Sequence, residues 1–369
     1  MLMRKLSFAI ILMIPVSSIY AHPKHHHSYS SNTEKNQNAK ATYSDATRNQ
    51  IVNVLLENAY AKGDGDSLEK AEQLMQKSND PSDLENQLLN TRIEQANHNF
   101  SAAEQRLKQL LKTQPNNSDA ILQLANIYRL QGKYSSSTQL CQQLTQPEVM
   151  LYRAGCELQV DAMTKSYPQL KPQIDQLLSQ TPRMSRADQQ WLGNIFIELA
   201  TRFNDPALAD KSMLLLQTNN LPNTLAKANW YIAQHQYQTA LKLLTPYRYH
   251  DGAMYRIILC KQKLNDPSAQ TDLNELTQRV QDLLDHHDHI HLREQAQFLW
   301  ISKKYNEGLK IAAKNWDMQR ENDDFEVYAA LAIAAKDTDI SKKLLIWSEK
   351  TGYQHPEYIP QLQQIVNQS

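Results

Sequence analysis

Histidines are the residues whose type and spacing suggest chemistry most directly in this chain. Eight of its 12 histidines fall in two short clusters. Imidazole nitrogens are good ligands for Zn, Cu and Ni, and carboxylates such as those of Asp285 and Asp288 can complete such a site. The clusters therefore predict a divalent transition metal bound by His22, His25, His26 and His27, and by His286, His287, His289 and His291. Two solvated polar loops, or a pH sensor, would have the same composition.

Catalytic chemistry has no comparable signal in the sequence. The chain contains no GxSxG, no HExxH, no Walker loop and no GxGxxG that follows a strand. Glutamates on amphipathic segments, such as Glu94, Glu104 and Glu198, are interpreted as solvated side chains. The five tryptophans are interpreted as core or inter-repeat packing. We therefore expect no enzymatic activity and no required cofactor.

Composition narrows the class of fold. The 369 residues include only 8 glycines, and 39 basic residues balance 39 acidic ones. An all-β chain would need many glycines in its hairpins, and a nucleotide-binding enzyme would need a Gly-rich phosphate loop. Nucleic acid binding would require a basic excess. A helical protein that does not bind nucleic acid is the class that remains.

The first 21 residues have the layout of a secretory signal peptide. Arg4 and Lys5 precede an apolar run at residues 6–16, and small residues then lead to a cleavage point after Ala21. The run is short for a membrane span, so we expect cleavage, export to a bacterial periplasm and no stable membrane span. A retained N-terminal anchor is the alternative. Residues 22–45 lack an apolar period, which predicts a flexible tail.

The rest of the chain, residues 46–369, shows amphipathic helices separated by short polar breaks. Aromatic residues recur at a fixed spacing: Phe100 and Tyr134 are 34 residues apart, and Tyr237 and Tyr305 are separated by twice that interval. Each is followed three residues later by a small residue and then by an apolar one, so all three share a helix face. The small residue allows a neighbouring helix to approach closely. Such a period predicts stacked helical repeats.

Residues 118–144 resemble a tetratricopeptide repeat, the two-helix unit of 34 residues. The first helix of that family carries a Leu, a small residue and an aromatic residue, and its turn and second helix have their own pattern. The matching residues here are Leu124, Ala125, Tyr128, Gly132, Tyr134 and Ser137, with Pro115 closing the preceding unit. Ile121 replaces the usual Trp, and Ser137 replaces the usual Ala. The resemblance implies an all-α, right-handed α-solenoid of stacked helix–turn–helix repeats, several of them degenerate.

The C-terminal part also looks like the end of exported repeat proteins of Gram-negative bacteria. The residues that carry this likeness are Trp300, Tyr305, Asn315, Trp316 and Gln319.

Three copies of Asn-Asp-Pro, at residues 79–81, 204–206 and 265–267, mark turns between helices. Asp can cap a helix N-terminus, and Pro fits the first helical position, where its missing N–H is not needed. Each copy therefore predicts that a helix follows.

The three cysteines leave two alternatives open. Cys141 and Cys156 are on consecutive predicted helices joined by a turn, so antiparallel packing could bring them close enough for a disulfide. They could equally be small buried core residues. With an odd count, at least one thiol, such as that of Cys260, stays unpaired in a monomer.

An exported solenoid of this kind is expected to bind a protein or peptide partner through its concave surface. The resemblance implies that Asp119, Asn126 and Arg129 occupy groove-facing positions of the best repeat. Leu122 stands where a peptide-carboxylate clamp of the family would carry Lys. The alternative function is a periplasmic metal-binding accessory protein that uses the histidine clusters for Zn, Cu or Ni.

Overall fold

The computed structural model describes residues 44–285 and 291–368. Within them the chain forms α-helices and short 3-10 turns and no strand. None of these helices is long and apolar enough to cross a membrane. The predicted signal peptide, nearly all of the predicted tail and His286, His287 and His289 lie outside the described residues.

Helices α1 to α18 form nine successive antiparallel hairpins, and α19 follows alone. The first helices of the hairpins are α1 Asp45–Lys62, α3 Leu84–Ala96, α5 Ser118–Leu130, α7 Met150–Thr164, α9 Arg186–Phe203, α11 Leu221–Ala233, α13 Asp251–Lys263, α15 Leu292–Ile301 and α17 Asn322–Ala335. The second helices are α2 Gly65–Met75, α4 Phe100–Thr113, α6 Tyr134–Gln142, α8 Tyr167–Gln180, α10 Pro206–Leu215, α12 Tyr237–Leu244, α14 Ala269–Asp285, α16 Tyr305–Met318 and α18 Thr338–Thr351. The last helix is α19 Tyr358–Asn367. The predicted all-α solenoid is therefore confirmed.

The recurring aromatic residues mark the hairpins. Phe100, Tyr134, Tyr237 and Tyr305 are each the first residue of a second helix. The small residue three positions later lies at the contact with the first helix of the same hairpin. The Ser137 hydroxyl, for example, donates to a carbonyl of the first helix at 2.7 Å. The 34-residue spacing in the sequence is thus the length of one hairpin.

The turns inside the hairpins share one backbone conformation. In eight of the nine, one residue has a left-handed φ, and in all eight the amide of the next residue donates to a carbonyl of the first helix. The left-handed residues are Gly63, His98, Gly132, Asn204, His235, Asn265, Lys303 and Lys336. The turn between α7 and α8 is the exception, since Lys165 is extended there.

The Asn-Asp-Pro copies behave differently from one another. At residues 204–206, Asn204 takes the left-handed conformation, Asp205 caps α10 through the Leu208 amide and Pro206 begins the helix, so the predicted cap is confirmed. At residues 79–81 the predicted cap is wrong. The next helix starts later, at Leu84, because Asp83 supplies the cap instead.

The first helices pack against one another along the chain and form the inner layer, while the second helices form the outer layer. Two small apolar clusters lie within hairpins six to eight, and one large apolar core lies between the layers over most of the described chain. Trp191, Trp230 and Trp316 are buried in it, as the sequence predicted. Trp347 is half-buried and meets Trp316 edge to face, with ring centroids 4.7 Å apart. Each hairpin buries apolar surface that it could not bury alone.

The superhelix is wound so tightly that successive turns touch. The Leu130 carbonyl, at the end of hairpin three, accepts a hydrogen bond from the Arg320 amide, in the linker after hairpin eight, at 2.6 Å. The Met163 carbonyl of hairpin four accepts one from the Gln354 amide, in the linker after hairpin nine, at 2.9 Å. Gly63 of hairpin one lies against His250, in the linker after hairpin six. Each contact therefore joins hairpins offset by the same five units.

A disulfide joins Cys141, in α6, to Cys156, in α7, with their Cα atoms 5.8 Å apart. Of the two alternatives left open by the sequence, the structure contains the bonded one. Cys260 is a free, buried thiol, and burial raises its pKa to about 11.

Candidate functional site

A cavity of about 390 Å³ occupies the interior of the superhelix. Its walls come from α5, α7, α9, α11, α13, α15 and α17, which are all first helices of hairpins, and from α19 with the residues just before it. This volume lies in the range of small-molecule pockets, about 300–1,000 Å³, and is too small for a folded domain. The concave surface of the solenoid thus lines a narrow channel that is partly open to solvent.

The three predicted partner-binding residues lie on α5 but only one of them lines the cavity. Arg129 does so; it donates to the Asn126 side chain at 2.9 Å and lies 3.6 Å from the Glu321 carboxylate. Asn126 is buried behind it. Asp119 is half-buried at the other end of α5 and lies 3.7 Å from Arg92. Burial raises the pKa of Asp119, and Arg92 only partly offsets that effect.

One wall of the cavity is stabilised by a buried polar network around Arg293. Its guanidinium donates to Glu321 at 2.6 Å and to Asp324. The Asn315 amide also donates to Asp324, at 2.7 Å, as does the Gln319 amide, at 3.2 Å. All five residues are buried, and together they fix α15, α16 and the start of α17. Asn315 and Gln319, part of the C-terminal sequence likeness, therefore support the cavity wall from behind.

A second polar chain lies where α17 meets the segment before α19. Tyr353 donates to Asn322 at 2.9 Å, and Asn322 donates to Glu326 at 2.7 Å. The His355 ring lies 3.1 Å from the same Glu326 carboxylate. Burial acts to raise the pKa of Glu326, but the hydrogen bond and charge of His355 outweigh it and lower that pKa.

Two carboxyl groups in the cavity have pKa values that are raised toward neutral pH. Burial raises the pKa of Glu198, on α9, to about 7, although Arg129 acts in the opposite direction. Burial also raises the pKa of Asp323, on α17, to about 6. The two charges repel, since Asp323 contributes to the raised pKa of Glu198. The interpretation of Glu198 as a side chain on a solvated outer face is wrong, because Glu198 is half-buried and lines the cavity.

Residues 94–150 match the Tetratricopeptide repeat family. The chain therefore contains a tetratricopeptide repeat. The matched segment runs from the end of α3 to the start of α7 and includes the whole hairpin of α5 and α6. No curated protein matches the chain. The hairpins outside the matched segment have the same two-helix architecture, so the whole described chain is a TPR-like solenoid.

The metal site predicted from the histidine clusters stays a prediction. His291 is the one member inside the described residues; it is buried, just before α15. Among those residues no group of three His, Cys, Asp or Glu side chains could hold an ion. His98, in the turn of the TPR hairpin α3–α4, lies near His291 and Arg293, and burial, with Arg293 next, lowers its pKa to about 4.

Sequence reasoning missed most of the charged residues that line the TPR channel, including Arg202, Arg256, Arg293, Asp323 and Glu326. No local signal marks them, because they come from four different hairpins. Only the superhelical winding of the repeats brings their side chains to one cavity.

Proposed function

We propose that this chain is an interaction scaffold that binds an extended segment of a protein or peptide inside its superhelix. The observation that carries the proposal is the cavity of about 390 Å³, with apolar and polar lining, that is walled by the inner helices of consecutive repeats. Solenoids use this inner surface for recognition. A channel of this size accommodates a few residues of extended chain and excludes a folded domain.

We further propose that the scaffold works in an oxidising compartment, the periplasm of a Gram-negative bacterium. The signal-peptide layout of residues 1–21 supports export. The bond between Cys141 and Cys156 also supports it, since disulfides persist in such compartments and are rare in the cytosol. Since tetratricopeptide repeats are interaction modules, we propose a binding role without catalysis.

Blocking the channel tests the proposal. Ala330, on α17, is half-buried and lines the cavity, so Ala330→Trp should fill part of it. Ile346, on the outer helix α18, is 64% exposed, so Ile346→Trp is the matched control. Periplasmic extract is passed over immobilised wild type and both variants, and the retained proteins are quantified by mass spectrometry. Circular dichroism checks that both variants keep the wild-type helicity.

The expected result is a partner retained by wild type and Ile346→Trp but lost with Ala330→Trp. Cross-linking should then map one extended segment of that partner to α9, α11 and α17. Equal retention by all three proteins would place recognition on the outer surface and would refute binding inside the channel.

A further inference from the structure

One wall of the cavity carries no charged side chain. It belongs to α11, the first helix of hairpin six, whose lining residues are spaced so that they share one helix face. Five are apolar and one is an asparagine, and we call them the apolar face: Pro222, Leu225, Ala226, Asn229, Ile232 and Ala233. Ala226 and Ile232 are half-buried and Ala233 is exposed, so the apolar face keeps accessible surface for a ligand.

The start of α17 contributes the opposite kind of surface. Its lining residues there are polar, and we call them the polar face: Glu321, Asn322, Asp323 and Glu326. Asp323 and Glu326 are half-buried, so their carboxylates also keep accessible surface. The next lining residues of this helix, Val327 and Ala330, are apolar, so the polar face occupies only its N-terminal end.

The two accessible carboxylates of the polar face already have basic partners. Asp323 lies 4.0 Å from the Arg256 guanidinium, and the His355 ring lies 3.1 Å from Glu326. A charged group of a ligand would have to compete with these partners, whereas a hydroxyl or an amide can donate to a carboxylate without displacing them. The polar face therefore suits neutral hydrogen-bonding side chains.

One side chain shows that the two faces lie close to each other. Arg256, on α13, donates through Nε to the Asn229 side chain, in the middle of the apolar face, at 2.6 Å. Its Nη2 atom is the one that lies 4.0 Å from Asp323, on the polar face. A single guanidinium group thus spans the distance between the faces, so a segment that lies beside it is within reach of both.

We infer that the channel selects an extended segment in which apolar and neutral polar side chains alternate, with the apolar ones on α11 and the polar ones on α17. Successive side chains of an extended chain point to opposite sides. A segment between two unlike faces therefore needs a period of two. This inference rests on the proposed function, since it specifies which extended segment the channel binds.

The test uses fluorescein-labelled peptides that differ only in five core residues between Gly-Ser flanks. The alternating peptide has the core Leu-Ser-Leu-Ser-Leu, and the block peptide has the same composition in the order Leu-Leu-Leu-Ser-Ser. Two charged peptides replace both serines of the alternating core by lysine or by glutamate. Fluorescence anisotropy measures their binding to the full chain without its predicted signal peptide, at up to sub-millimolar protein concentration.

The alternating peptide should bind at least about tenfold more tightly than the block peptide, because the block order places a leucine on the polar face and a serine against α11. Both charged peptides should also bind at least about tenfold more weakly than the alternating peptide, since their charges must compete with the existing pairs.

Variants of the apolar face assign the effect to α11. Ala226→Asp and Ala233→Asp should each weaken the alternating peptide by about tenfold, because a carboxylate then faces its leucines. Ala233 is exposed, so its variant should fold even if Ala226→Asp does not. Ala207→Asp, at an exposed position of the outer helix α10, is the matched control and should leave the affinity unchanged. Circular dichroism checks the helicity of all three variants.

Equal affinity for the alternating and block peptides, tighter binding of a charged peptide, or no binding of the alternating peptide would overturn the inference. Unchanged affinity in a folded Ala233→Asp protein would do the same. The broader proposal fails separately. Loss of a partner with Ala330→Trp, in a protein that does not distinguish the peptides, would leave the scaffold standing without the alternation. Preference for the alternating peptide without a channel-dependent partner would instead refute the scaffold and keep the two-faced site.

Discussion

Glu198 shows how enclosure changes the chemistry of a single residue. In an unfolded chain its carboxyl titrates near the ordinary value of 4.5, whereas in the folded protein burial raises the pKa to about 7. Between these values the folded state binds a proton that the unfolded state has released. The free energy of unfolding must therefore fall as pH rises through this interval, and it levels off above it.

Replacement of Glu198 by Gln should remove this pH dependence. At pH 5 both proteins carry a neutral side chain and should have similar stability. At pH 8 the variant should be more stable by about 1–3 kcal/mol, because wild type must hold an ionised carboxylate in the cavity. The measurement is urea unfolding of both proteins at pH 5, 6, 7 and 8.

His98 contributes an opposite slope at acidic pH, since its pKa is lowered to about 4 and the unfolded chain gains its proton first. The His98 contribution is the same in wild type and in Glu198→Gln, so it cancels in the difference between their free energies of unfolding. Glu349→Gln, on the solvent side of α18, serves as the control. The difference between its free energy of unfolding and that of wild type should not grow as pH rises. A constant difference between wild type and Glu198→Gln across the pH range would contradict the raised pKa.

The turn inside each hairpin is the element that sets the repeat. In eight of the nine described hairpins a left-handed residue reverses the chain within a few positions, so the second helix packs directly on the first. Gly132 has an additional role, because a Cβ atom there would lie 3.1 Å from the Trp347 side chain of a hairpin six units later. The turn of hairpin three thus needs glycine both for its φ of 71° and for contact with the next superhelical turn.

Gly132→Ala should destabilise the protein by about 1–3 kcal/mol, since an L residue in the left-handed region is strained and its methyl group presses on Trp347. Gly65→Ala is the matched control. Gly65 begins α2, has no left-handed φ, and a Cβ atom there would meet nothing within 4 Å. The Gly65→Ala variant should have the free energy of unfolding of wild type or a slightly higher one. Denaturant unfolding of both variants gives the comparison, and equal effects would contradict the role assigned to the turn.

At the scale of the whole molecule, the notable feature is contact between successive superhelical turns. The linkers after hairpins eight and nine donate backbone hydrogen bonds to hairpins three and four. Tyr134 and Trp347 add an edge-to-face contact across the same seam, with centroids 6.4 Å apart. These contacts close the inner surface of the solenoid into a cavity.

Hydrogen exchange should detect this closure. The amides of Arg320 and Gln354 lie in linkers, yet they bond across the seam, so they should exchange much more slowly than other linker amides. Residues 217–219, between α10 and α11, provide the comparison, because their amides make no backbone hydrogen bond in the structure. Mass spectrometry of peptides that cover the three linkers measures the rates. Equal exchange in all of them would indicate an open superhelix.

The sequence by itself determined the helices, the length of the hairpins and the resemblance to a tetratricopeptide repeat. Phe100, Tyr134, Tyr237 and Tyr305 predicted the 34-residue helical repeat, because an aromatic residue followed by a small one leaves a local signature of close helix packing. The residue type alone predicted that the tryptophans pack in the core or between repeats, which is the case for Trp191, Trp230 and Trp316. These features depend on residues that are near one another in the chain, so they can be read without knowing the tertiary structure.

Only the tertiary structure decided how tightly the repeats wind and what the winding encloses. Small rotations between hairpins accumulate over five units, and no single residue records their sum. That sum brings Glu198 and Asp323 together across 125 positions of sequence and converts Glu198 from an apparent surface residue into a cavity residue. It likewise leaves Arg129 at the cavity and Asp119 outside it, although both are on α5. The site is a property of the superhelix, since its walls come from helices that the sequence describes one at a time.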